Sequence, residues 1–91
     1  MADVNEIISS KITERAQVGD YALSVGLDMN CLPCIAFSRI EGMVGGKYLI
    51  HSTEDGIKLV TDDISGFYPD TPKNREIIKD ACRKERASYG W

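Results

Sequence analysis

Ninety-one residues hold one domain, spanning 1–91, and leave no room for a second core. Apolar residues make up 43% of the chain and charged residues 27%, the balance of a folded globular protein, which excludes collagenous and disordered classes. A net charge of −3 argues against bulk electrostatic binding of nucleic acid, and no apolar run approaches the ~18 residues of a membrane span. The start MADVNEIISS has neither a basic region nor an apolar stretch of the kind that directs export, so the expected setting is cytoplasmic.

In chain order, a helix is predicted from about Val4 to Val18. Asp3 is its cap, Glu6 completes an acidic capping box, and Gly19 is the stop. Val4, Ile7, Ile8, Ile12 and Val18 fall on one half of that helix, and Lys11 and Arg15 sit inside the same apolar arc. A strand follows over Tyr21–Met29, where Tyr21, Leu23, Val25, Leu27 and Met29 alternate with small or polar residues. Pro33 interrupts it, and Cys34–Ile40 reads as a second strand in preference to one turn of helix, the other conformation its composition allows. Gly42, Gly45 and Gly46 make a flexible connection. Lys47–Ser52 and Ile57–Asp62 then flank a hairpin loop in which Gly56 takes the left-handed position. The register places Leu49, His51, Ile57 and Leu59 on one face and Tyr48, Ile50 and Val60 on the other. Both faces therefore need a cover, from the helices or from a second copy of the chain. Ile64–Asp70 is irregular, and a last helix begins at Thr71-Pro72 and runs to Ser88 or Tyr89. The order α-β-β-β-β-α implies an α+β fold: an antiparallel four-stranded meander flanked by an N-terminal and a C-terminal helix.

Cys31-Leu32-Pro33-Cys34 has the C-x-x-C spacing of a dithiol redox pair or half a metal site. It follows a strand, as redox folds require, but the long helix that would lower the first thiol's pKa is missing. Adding His51 and Cys82 would complete a Cys₃His zinc set, yet a zinc site normally shows two close pairs, and here there is one pair with two scattered singles. The expectation is ordinary reduced cysteines, with no metal and no cofactor. Thiol-redox or zinc chemistry at Cys31 and Cys34 stands as an alternative. Gly42 to Lys47 fails as a phosphate loop on glycine spacing, on the missing magnesium-binding hydroxyl and on the strand that follows. One histidine and no nucleophile–base set nominate no catalytic residues, so the chain is expected not to be an enzyme.

Charge layout is more informative. Residues 1–72 carry 5 basic and 11 acidic groups, whereas 73–91 carry 6 basic and 3 acidic ones. On the last helix Arg75, Lys79, Arg83 and Arg86 form a stripe beside the apolar face. Glu54, Asp55, Asp62, Asp63 and Asp70 gather near the hairpin and the approach to that helix. Both can be plain solvated faces. Read as a device, the segregation orients association with another protein or another copy of the chain. Lys11 and Arg15 either snorkel outward or meet Asp62 or Asp63, or an anionic ligand in a groove between subunits, and Tyr89 and Trp91 either tuck back or dock. The expected binding residues are thus Lys11, Arg15, Arg75, Lys79, Arg83, Arg86, Tyr89 and Trp91. The expected role is a small binding protein of accessory, adaptor or inhibitor type, acting through protein–protein or homo-oligomeric contacts. The alternative partner is an anionic ligand, nucleotide-like or nucleic acid, held by the basic stripe.

Overall fold

The computed structural model describes residues 3–89. Its elements are α1 (Val4–Lys11), β1 (Tyr21–Leu27), β2 (Pro33–Val44), β3 (Lys47–Ser52), β4 (Lys58–Thr61), β5 (Tyr68–Pro69) and α2 (Pro72–Ser88). The five strands form one sheet in the order β4-β3-β2-β1-β5, antiparallel at every junction. The α+β meander with a helix at each end is therefore present, extended by a fifth strand that the irregular composition of 64–70 conceals. β5 is two residues long and contains Pro69, so it has no alternation to read. It forms because Tyr68 lies opposite Leu23 and fills the core between β1 and the helices. Among the described residues no helix is long and apolar enough to cross a membrane.

Successive strand residues point to opposite faces, and each face carries its own core. On the first face, Leu23 pairs with Phe37 and Val25 with Ile35. These side chains pack against Val4, Ile8, Ile78, Ala81 and Cys82 of the two helices. On the second face, Ala22, Ile40 and Ile50 meet Ala16, Ile64 and Phe67, which belong to connections and not to helices.

That second core explains why α1 is shorter than its periodicity predicts. The helix stops at Lys11, because Ile12 turns to extended backbone (φ −115°, ψ 108°). The chain then runs as a strap over the second face. There the Ala16 N–H donates to the Phe67 carbonyl at 3.0 Å, and the Gly19 N–H donates to the Ile40 carbonyl at 2.7 Å. Ile12 and Ala16, spaced like a helical stripe, are both buried, but in the two different cores. Gly19 accordingly serves a turn into β1, at φ 96°, and not a helix end.

The second strand is longer than predicted. β2 passes straight through Gly42, with a β-bulge at Glu41, and only Gly45 and Gly46 form the turn. Their φ values of 57° and 82° match the two left-handed positions that a tight two-residue hairpin demands. β3 has its predicted bounds. The β3–β4 register differs by one residue from the predicted one: Leu49 lies opposite Val60 and Ile50 opposite Leu59. The reason is the longer loop, in which the Ser52 N–H donates to the Ile57 carbonyl at 2.8 Å and Gly56 (φ 74°) closes back on Ser52. α2 begins as predicted. The Thr71 hydroxyl accepts from the Asn74 N–H at 3.1 Å, and Pro72 occupies the first turn, where a missing N–H costs nothing.

Candidate functional site

The expected binding residues divide among several surroundings. Lys11 ends α1 beside the cleft between the helices, near Asp80 and Glu85. Arg15 lies on the strap, donates to the Ile12 carbonyl at 2.8 Å and stacks over the Tyr68 ring at 4.9 Å. Neither reaches the carboxylates expected for it. Asp62 faces Lys47 at 3.4 Å, and Asp63 accepts from Ser65. Tyr89 is exposed at the end of α2, and Trp91 lies outside the described residues.

The basic stripe of α2 is largely answered by carboxylates of the same chain. Arg75 makes a two-pronged contact with Asp70, at 2.6 and 2.9 Å, and lies over the Phe37 ring at 5.0 Å. Arg83 pairs with Asp80 one turn away, and Lys84 reaches the same carboxylate at 3.1 Å. Arg86 donates to Asp28 at 2.6 Å. Lys79 has no carboxylate partner among the described residues. A shallow groove of about 540 Å³ runs beside the stripe, with Pro33, Ile35, Cys82 and Ala87 supplying its apolar lining and Lys79, Arg83 and Arg86 its basic one.

Asp28 is the organising group at this end of the molecule. Its carboxylate accepts from the Asn30 N–H at 2.8 Å and the Leu32 N–H at 3.1 Å, which shapes the turn between β1 and β2. Cys31 sits in that turn at φ 60°, a conformation that a side chain tolerates only when the surroundings hold it. The Leu32 N–H first, and the Arg86 guanidinium second, hold the Asp28 carboxyl below its ordinary value of 3.8. A depressed folded-state pKa stabilises the fold above the unfolded value and loses that contribution as pH falls through the folded one. Asp28→Asn is therefore expected to flatten the decline of Tm as the pH falls below about 4. Thermal melts of the two proteins across that range check it, and parallel curves would contradict it.

The three cysteines have different surroundings. Cys31 is exposed, Cys34 is half-buried opposite Gly26, and Cys82 is buried in the first core, with Cys34 and Cys82 lining the same groove beside α2. Burial pushes the Cys34 thiol up, and pushes Cys82 up to about 11. Among the described residues no three His, Cys, Asp or Glu side chains lie close enough to share one metal ion. His51 is not on a closed apolar face. Its Nδ1 is 2.9 Å from Glu41 Oε1, and Lys58 reaches the same oxygen at 3.3 Å. With a neutral thiol-exchange reagent, Cys31 is expected to react first and Cys82 only after denaturant is added, because exposure and thiolate character both govern the rate. Peptide mapping by mass spectrometry checks the order.

The surface that the charge pattern did not reveal is the β4 end of the sheet. The helices cover β1 and the start of β2, and the strap covers the middle of the second face; β4 lies beyond both. Leu59 and Val60 are each 49% exposed and point to opposite faces, and Met43, Val44 and Ile57 are exposed nearby. The sequence did carry a signal for this: the last strand of a meander is an edge, and the hairpin bears apolar residues on both faces. Neither a family model, nor any curated protein, nor any solved structure matches the chain.

Proposed function

We propose that this protein acts by binding other protein chains rather than by catalysis, with the open β4 end of the sheet as its contact surface. One observation carries the reading. Lys58, Leu59 and Val60 lie exposed along a sheet edge that no other segment of the described chain covers, with apolar side chains on both faces. Such an edge is a template for an added strand, and proteins that do not use one usually blunt it. The α2 stripe then serves mainly within the chain. Three of its four cations hold Asp70, Asp80 and Asp28, which weakens the field an anionic ligand would feel.

A photo-crosslinking amino acid at Leu59, with a control at exposed Lys73 on α2, tests the reading in the source cell. Protein adducts that form at position 59 and not at 73 are the expected result. No adduct at 59, or the same adducts at both positions, overturns it.

A further inference from the structure

The two edges of the sheet are built differently. β5 is two residues long and contains Pro69, which has no N–H to offer a neighbour. β4 presents four residues, with Lys58 as its one protective side chain. The Ser52–Ile57 hydrogen bond sets the alternation along β4. Continued in the register of Ile50 with Leu59 and Tyr48 with Thr61, it turns the backbone groups of Leu59 and Thr61 toward β3. Those of Lys58, Val60 and Asp62 then turn outward. The Lys47–Asp62 contact, at 3.4 Å, is the next step of the same ladder and places Asp62 on the face that carries Lys58 and Val60.

We infer that the occupant of this edge is a second copy of the chain, joined β4 to β4 about a two-fold axis through Val60, so that two five-stranded sheets become one. The inference rests on the protein-binding reading above and names its partner. Outward-turned residues must face outward-turned residues, which leaves few registers. Centring the axis on Lys58 sets two lysines against each other. Centring it on Leu59 puts Lys58 opposite Val60 and leaves the charge unanswered. Centring it on Val60 sets Lys58 opposite Asp62 of the partner subunit, and the symmetry repeats that pair. Glu41 already holds Lys58 from behind, at 3.3 Å, and Lys47 holds Asp62, so the new contact joins two half-networks into one line of alternating charge. Leu59, on the other face, lies opposite Thr61 of the partner subunit. The edge lysine thus protects against most registers and favours this one.

Light scattering on the purified chain tests the inference. The expected mass is twice the 10.1 kDa of one chain. Lys58→Asp and Asp62→Lys are each expected to run as folded monomers, because each sets like charges across both contacts. An equimolar mixture of the two is expected to recover the doubled mass, since each then meets the opposite charge in the other. Val60→Pro, which removes an outward N–H without touching the bonds to β3, is expected to be a folded monomer, with circular dichroism confirming the fold. A monomeric wild type, a dimer that survives both charge substitutions, or a mixture that stays monomeric overturns the inference. A monomeric wild type that still forms adducts to other proteins at position 59 sinks the second copy alone, whereas a monomer with no such adducts sinks the binding reading as well.

Discussion

Replacing Leu23 with alanine is expected to lower the stability of the fold by about 2–5 kcal/mol. Leu23 is fully buried at the centre of β1, with Phe37 opposite it on β2 and Tyr68 opposite it on β5. Ile8 of α1 and Ile78 of α2 belong to the same cluster. Four elements thus close over one side chain, and truncation leaves a cavity that none of them can collapse into without leaving its other partners. Domains of this size are stable by about 5–15 kcal/mol in all, so the loss is a large share of the total. Urea titrations at one fixed chain concentration measure it. The expected result is a lower midpoint with an unchanged slope, and a shift of under about 1 kcal/mol would show that the site is not closed as described.

Tyr68→Ala is expected to cost about 3–5 kcal/mol, the range of buried aromatic truncations. Its ring is 1% exposed, and it is the residue that makes β5 a strand. The Arg15 guanidinium packs on the ring at 4.9 Å, and the neighbouring Phe67 carbonyl receives the Ala16 N–H. Loss of the ring therefore loosens both β5 and the strap. Tyr68→Phe keeps the ring and is expected to change stability by less than about 1 kcal/mol. Because Leu23 and Tyr68 face each other directly, the double alanine variant should lose less than the sum of the two single losses. Strict additivity would mean that the two side chains do not share a cavity.

Much of the architecture was legible in the chain. The period-two run from Tyr21 marked β1, the bounds of β3 came from its flanking turns, and Thr71-Pro72 announced α2. Each of these signals is complete within a few residues. Caps, turn glycines and alternation act locally, through backbone conformations that neighbouring side chains permit or forbid. The charge stripe on α2 was also legible, but its role was not. Arg86 and Asp28 are 58 residues apart, and nothing in their spacing said that they would meet.

The amino-acid pattern by itself determined the class of the fold and the order of its helices and the first four strands. Tertiary structure decided where α1 ends, the β3–β4 register, the existence of β5, and which cations remain free. Ile12 and Ala16 suit a helix as well as they suit a strap. The choice fell to the strap because the second face of the sheet had to be covered and the Phe67 carbonyl was there to accept a hydrogen bond. Burial and pairing between distant segments outweigh helical propensities that differ by only about 1 kcal/mol or less per residue. The same contacts seal β1 within the molecule and leave β4 at the edge.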